Sequence, residues 1–67
     1  MDGDYMNGLF KIEIWVLGHK SNEFTSTSFK AIRKWFDDNY RDTYNQGFCT
    51  YYISKDGMEL DWRLLNR

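Results

Sequence analysis

The fold is decided by residues 9–17, which read LFKIEIWVL. The even-numbered residues of this stretch are all apolar, whereas the odd positions between them hold Lys11, Glu13 and Trp15. Alternation with a period of two is typical of a β-strand with one buried and one exposed face. We therefore expect a strand here, with one face against a core and an indole on the other face.

Three further strands are predicted around it. Residues 58–64 (MELDWRL) repeat the alternation, and the Lys-Asp-Gly of residues 55–57 favours a tight hairpin turn because Asp and Gly tolerate positive φ. Residues 48–53 are rich in aromatic and β-branched side chains and provide the first arm of that hairpin. Residues 18–22 are polar and predict a turn, which leaves residues 23–26 for a short strand.

An apolar stripe at helical spacing follows. Its members are Phe29, Ile32, Phe36 and Tyr40. Residues 25–28 (TSTS) offer several N-cap side chains, and Gly47 is a stop signal, so we expect the helix to end near residues 44–46.

These elements predict an α+β fold of order β-β-α-β-β, in which a three- or four-stranded antiparallel sheet carries one helix on one face. We expect residues 1–7 to be a flexible N-terminal segment and residues 8–67 to form a single domain. The predicted core consists of Phe10, Ile12, Ile14, Val16, Phe29, Ile32, Phe36, Leu60, Trp62 and Leu64.

Composition limits the function classes. The 67 residues carry a formal net charge of −1, which argues against a polybasic DNA-binding protein. Aromatic residues make up 19% of the chain, and we interpret this as compensation for small size, because a single cysteine excludes an internal disulfide. The longest apolar run, residues 14–17, is far too short to span a bilayer, and residues 1–8 lack the basic region of a signal peptide. We expect a soluble, cytoplasmic protein.

No arrangement of residues indicates catalysis. His19 has no second histidine and no cysteine beside it, and Cys49 lies in an apolar strand, where nothing lowers its pKa. The sequence therefore predicts a protein that is not an enzyme and that has no cofactor and no metal. An acidic cluster in the second half of the predicted helix, Asp37, Asp38 and Asp42, is either a solvated surface or a secondary binding patch.

The most informative surface is the sheet face that a single helix cannot cover. By alternation it carries charged and aromatic side chains, with one of the two tyrosines 51 and 52. The candidate partner-binding residues are Lys11, Glu13, Trp15, Tyr51, Tyr52, Glu59, Asp61 and Arg63. Tryptophan, tyrosine and arginine are enriched in protein interfaces, but a solvated face with cross-strand pairs would have the same composition.

Two alternatives to protein binding stay open. Aromatic rings on an antiparallel sheet also stack unpaired bases, although Glu13, Glu59 and Asp61 would repel phosphates. The chain could instead be a homodimeric structural subunit that covers Trp15 with its twin.

The chain resembles the small early proteins of T4-like bacteriophages, which are short, proline-free and rich in Asn, Lys, Asp and Tyr. Residues 16–25 (VLGHKSNEFT) resemble a small phage antitoxin family that neutralises a host ribonuclease toxin. The resemblance implies a strand–helix protein that occludes the active surface of an enzyme. The resulting hypothesis is a phage or mobile-element inhibitor that sterically blocks or redirects a larger host protein.

Overall fold

A computed structural model describes residues 8–60. Four strands form one sheet: β1 is Phe10–Val16, β2 is His19–Ser26, β3 is Thr50–Lys55 and β4 is Met58–Glu59. Between β2 and β3 lie α1, Phe29–Asn39, and the short α2, Arg41–Asn45. The strand order is β2-β1-β3-β4 with antiparallel neighbours, which confirms the predicted α+β fold.

The first hairpin turn lies earlier than predicted. Val16 pairs with His19, so the loop is only Leu17 and Gly18, and both residues have positive φ, 53° and 82°. β2 therefore begins at His19, and the prediction of a turn over residues 18–22 is wrong. Because the ladder starts directly after the turn, β2 spans 8 residues instead of the four predicted.

The second hairpin follows the prediction. Lys55 pairs with Met58 across Asp56 and Gly57, whose φ values are 53° and 88°. β4 ends at Glu59, although the Leu60 N–H still donates to the Ile53 carbonyl at 2.8 Å. The rest of the predicted strand, including Trp62 and Leu64, lies outside the described residues, as does the segment 1–7.

The core lies between α1 and the central strands. Ile12 and Ile14 of β1 and Ile32 and Phe36 of α1 are fully buried. Three residues missing from the predicted core are also buried: Cys49, Tyr51 and Ile53. Other predicted members lie at the margin, where they are partly buried and pack against this cluster: Phe10, Val16, Phe29 and Leu60.

The helix begins as expected but is broken into two segments at Tyr40. The Ser28 side chain accepts a hydrogen bond from the Ala31 N–H at 3.3 Å and so caps α1. Tyr40, with φ −133°, interrupts the helix, so the prediction of one continuous helix is wrong, although the second segment ends at Asn45, within the predicted limit of residues 44–46. The Tyr40 ring packs on Trp35 at 5.3 Å, and its hydroxyl accepts a hydrogen bond from Asn22 of β2. These contacts hold Tyr40, the residue at the helix break, against the edge strand β2.

The break sets the direction of α2. Tyr44, on α2, lies 5.8 Å from the Phe36 ring and 5.1 Å from the Tyr51 ring. α1 thus covers β1 and β2, while α2 extends the cover towards β3. Within residues 8–60, neither helix has the length and apolar character of a membrane span.

Candidate functional site

The face of the sheet opposite α1, called here the outer face, has its centre on β1. Lys11, Glu13 and Trp15 point away from the helices, since their neighbours Ile12 and Ile14 fill the core. Residues directly opposite in a sheet share a face, so the pairing of β1 extends this surface across the neighbouring strands. The outer face comprises Lys11, Glu13, Trp15, Lys20, Glu23, Thr25, Thr50, Tyr52, Ser54 and Glu59.

The register decides between the two tyrosines. Tyr51 pairs with Ile14 and is 5% exposed beneath the helices, whereas Tyr52 pairs with Glu13 and is 51% exposed. Tyr51 is therefore a core residue, and its assignment to the partner-binding surface was wrong. Asp61 and Arg63 lie outside the described residues, and Glu59 is exposed opposite Ser54.

An aromatic pair lies on the outer face. Trp15 and Tyr52 meet edge to face, with ring centroids 6.0 Å apart. Trp15 is half-buried, and its indole Nε1 donates to Glu13 Oε1 at 3.2 Å. Two contacts therefore hold an accessible indole in a defined orientation on the surface.

A β-bulge brings Lys20 to the same face. Ile14 pairs with Asn22 but Trp15 pairs with Lys20, so Ser21 is the extra residue on β2. Without it, Lys20 and Glu23, three residues apart, would point to opposite faces. Lys20 lay in a predicted turn, which is why the sequence did not place it in the site.

Four of the five charged side chains of the outer face form one network, and the fifth is Glu59. Glu13 and Glu23 face each other across β1 and β2, an arrangement that is unfavourable by itself. Lys20 Nζ lies 2.9 Å from Glu23 and 3.8 Å from Glu13, and Lys11 Nζ lies 3.5 Å from Glu13. The hydrogen bond and charge of Glu23 raise the pKa of Lys20, and the same contact with Lys20 lowers the pKa of Glu23. Two lysines and two glutamates thus offset one another.

The end of the sheet at the β1–β2 turn carries apolar side chains that the sequence analysis did not single out. Leu17 is 92% exposed and Phe48 is 65% exposed. Between them lies a recess of about 380 Å³, here called the tip recess, which Trp15 and Tyr52 also line. Its nine described lining residues are all uncharged.

Leu17 occupies an unfavourable backbone conformation. A left-handed φ costs a residue with a side chain roughly 1–2 kcal/mol, and Gly, Asn or Asp normally fill such turns. The other hairpin of this chain follows that preference with Asp56 at the same φ of 53°. Because leucine is disfavoured at such turn positions, the sequence did not predict that Leu17 lies in the turn, and only the structure shows this.

The acidic residues predicted as a secondary binding patch lie on the two helices and not on the outer face. Asp37 and Asp38 are exposed on α1, where they pair with Arg41 and Lys34 at 2.9 Å each. Asp42 lies in the first turn of α2, so it does not oppose a helix dipole as the continuous helix had implied. Asp37 and Asp38 thus form the i,i+4 ion pairs expected of a solvated helix surface, and a binding role for the acidic cluster stays a prediction.

Within residues 8–60, Cys49, His19 and the carboxylates show few features of a nucleophile or a metal site. Burial raises the pKa of the Cys49 thiol, which leaves it mostly protonated near neutral pH. His19 is exposed at the start of β2. Within residues 8–60, no three His, Cys, Asp or Glu side chains form a group able to hold a metal ion.

Comparison with models of protein families, with characterised proteins and with solved structures gave no match.

Proposed function

We propose that this chain is a small non-enzymatic protein-binding factor that acts sterically through its outer face. The observation that carries the proposal is the Trp15–Tyr52 pair, which is fixed at 6.0 Å on the face opposite α1. A tryptophan and a tyrosine held in one orientation lose little side-chain entropy when a partner covers them, and such residues dominate binding energy in many interfaces.

The surroundings of the pair support a protein partner. Lys11 and Lys20 are both in contact with Glu13, so neither lysine contributes unbalanced positive charge beside the rings. Binding of single-stranded nucleic acid normally combines stacking rings with a positively charged groove. A neutral aromatic surface with a charged rim instead matches the composition of a protein interface.

The narrower hypothesis concerns the partner. A phage or mobile-element factor would block or redirect a larger host protein, and a chain of 8.1 kDa can cover a standard interface of about 800 Å² on its target. The resemblance of residues 16–25 to the phage antitoxin family supports this hypothesis of a phage factor. The hypothesis stays a prediction.

The test is affinity capture from nuclease-treated bacterial lysate with three immobilised chains: wild type, Trp15→Ala and Met58→Ala. Met58 is the matched control, because it is a large apolar side chain, 74% exposed, on the β3–β4 hairpin. We expect one dominant protein on the wild type and on Met58→Ala. With the purified partner, Trp15→Ala should weaken binding by about 30-fold or more, as for an interface hot spot.

Circular dichroism tests whether Trp15→Ala is folded. We expect that it is, because the indole is only half-buried. Equal retention by wild type and Trp15→Ala would contradict the proposal. Retention of RNA in untreated lysate, with no protein after nuclease treatment, would favour the nucleic-acid alternative instead.

A further inference from the structure

β2 is an edge strand of the sheet. In the order β2-β1-β3-β4 it pairs on one side only, as far as the described residues extend. It spans 8 residues, and its first five are exposed. A long edge strand offers unpaired N–H and C=O groups to other chains, and natural proteins close such edges with specific features. Whether β2 accepts a further strand therefore depends on what occupies its backbone groups.

The middle of this edge is occupied by a side chain of β2 itself. The Glu23 backbone N–H donates to Oδ1 of Asn22, the preceding residue, at 2.8 Å. A side chain that forms a hydrogen bond with the backbone of its own segment competes with pairing to another strand. An added strand would have to displace the Asn22 side chain before it could accept this N–H.

A second contact holds the Asn22 side chain in place. Its Nδ2 donates to the Tyr40 hydroxyl at 3.0 Å. The Tyr40 ring packs on Trp35 at 5.3 Å, and Trp35 stacks on Phe24 of β2 at 5.1 Å. The amide of Asn22 therefore donates to the end of α1 and accepts from the backbone of β2, which gives the side chain one defined position between them.

The backbone beside Asn22 is irregular as well. Ser21 is the extra residue of the β-bulge, at which the register between β1 and β2 shifts. Bulges and lysines are two features by which natural edge strands avoid pairing, and the exposed Lys20 directly precedes this bulge. Three features that oppose strand addition thus coincide within residues 20–23.

We propose that the Asn22 side chain blocks the addition of a strand to β2, and that a second copy of this chain pairs there when the block is removed. Two copies of one strand can pair antiparallel about a two-fold axis. An axis between residues 21 and 22 brings Lys20 of each copy opposite Glu23 of the other. Both side chains lie on the outer face, so opposite charges meet across the new pair.

The block also affects how a partner can bind. Addition of a strand to a sheet edge is a common way to bind an extended segment. With β2 closed, the side chains of the outer face are the binding surface that this part of the sheet offers. The block does not depend on the proposed partner, because it is formed by contacts within the chain.

The test is sedimentation equilibrium of the purified full chain over a range of micromolar concentrations. Asn22→Val removes the amide and frees the Glu23 N–H, and we expect it to dimerise at least about tenfold more tightly than the wild type. Asn22→Ala frees the same N–H with a smaller side chain and should act in the same direction. Circular dichroism tests whether both variants are folded, which we expect because Asn22 is exposed.

Two control variants separate the block from other effects. Thr25→Val places the same new side chain at another exposed position of β2 and leaves the Asn22 amide intact. Tyr40→Phe removes the contact with α1 but keeps the Asn22 oxygen as acceptor for Glu23. Both controls should sediment like the wild type. At concentrations where all chains are monomers, the Glu23 amide hydrogen should exchange faster in Asn22→Val than in the wild type or in Thr25→Val.

The other outcomes overturn the proposal. If Asn22→Val and Asn22→Ala associate no more tightly than the wild type, the side chain does not block the edge. Equal association of Thr25→Val would attribute pairing to added apolar surface, and equal association of Tyr40→Phe would attribute it to loss of the contact with α1. Unchanged exchange at Glu23 would show that the hydrogen bond does not protect this N–H. Affinity capture with Trp15→Ala decides the proposed function separately from these results.

Discussion

The Trp15 indole donates a hydrogen bond through Nε1 to Oε1 of Glu13, two residues earlier on the same face of β1, at 3.2 Å. The same carboxylate lies 3.5 Å from Lys11 and 3.8 Å from Lys20 through its other oxygen. Glu13 therefore orients the ring and balances the neighbouring cations, which makes it a positioning residue for the aromatic pair.

Replacing Glu13 should separate these two roles. Glu13→Gln keeps an oxygen acceptor for the indole and removes the charge, whereas Glu13→Ala removes both. In a ¹H–¹⁵N spectrum we expect the Trp15 indole resonance to move upfield in Glu13→Ala and to change little in Glu13→Gln. The indole of Trp35, stacked on Phe24 at 5.1 Å, is the internal control. Equal shifts of Trp15 in both variants would show that the hydrogen bond does not hold the ring.

The central packing contacts should dominate stability. Ile14 and Phe36 are fully buried, so truncation to alanine should cost about 2–5 and about 3–5 kcal/mol, respectively. Domains of this kind have only about 5–15 kcal/mol in total, and both variants should be largely unfolded under mild denaturant. Urea titration followed by circular dichroism measures the loss. Lys30→Met, exposed on α1, should change stability by less than about 0.5 kcal/mol.

The two hairpin turns should respond in opposite directions to exchange of their first residues. Leu17→Asn relieves the left-handed strain and should stabilise the monomer by about 1 kcal/mol, which raises Tm by roughly 4–8 °C at this chain length. Asp56→Leu should destabilise by more than that amount, because the Asp56 carboxylate also accepts the Leu9 N–H at 2.8 Å.

Thermal melts at low protein concentration measure both effects and minimise any contribution from association. A lower Tm for Leu17→Asn would show that the leucine at this turn stabilises the folded chain and that its left-handed φ is not a source of strain.

The Lys20–Glu23 contact predicts how stability depends on pH. The lysine lowers the pKa of Glu23 below the ordinary value of 4.5, so the stabilisation is complete above 4.5 and is lost as pH falls through the lowered value. The glutamate raises the pKa of Lys20 above 10.5, so the stabilisation is complete below 10.5 and is lost as pH rises through the raised value.

Lys20→Met should remove the alkaline effect and most of the acidic effect, since Lys11 contributes less to lowering the pKa of Glu23, whereas Lys30→Met should leave both ends of the profile unchanged. Urea unfolding at a series of pH values gives the profile. Because both side chains of the pair are nearly half exposed, at 44% and 45%, added salt should reduce the difference between wild type and Lys20→Met.

Sequence patterns predicted the elements whose polar and apolar residues separate cleanly. The alternation of β1 placed Ile12 and Ile14 in the core and Trp15 on the outer face, and the spacing of Ile32 and Phe36 identified the buried side of α1. In both elements burial follows directly from periodicity, because polar side chains mark the other face.

β3 lacks such a marker, and there the prediction was incomplete. Residues 49–53 (CTYYI) place apolar or aromatic side chains on both faces, so only pairing with β1 shows that Tyr51 is buried and Tyr52 exposed. The bulge at Ser21 and the helix break at Tyr40 likewise depend on contacts between distant elements, such as the Asn22–Tyr40 hydrogen bond of 3.0 Å. Local propensity does not encode such contacts.

The exposed apolar residues at the β1–β2 turn were not predicted, for a different reason. Leu17 extends the apolar run of β1 and therefore looks like a strand residue, whereas it occupies a turn position that leucine disfavours. A residue that contradicts its local preference cannot be predicted from that preference, and such residues tend to mark functional sites.

We propose that a protein partner binds the outer face around Trp15. The most direct measurement follows the indole N–H resonances of Trp15 and Trp35 during titration with the partner purified by affinity capture. We expect the Trp15 resonance to shift or broaden in proportion to the bound fraction, while that of Trp35, packed between Phe24 and Tyr40, keeps its position. Saturable binding that leaves Trp15 unperturbed would show that the partner binds elsewhere on the chain.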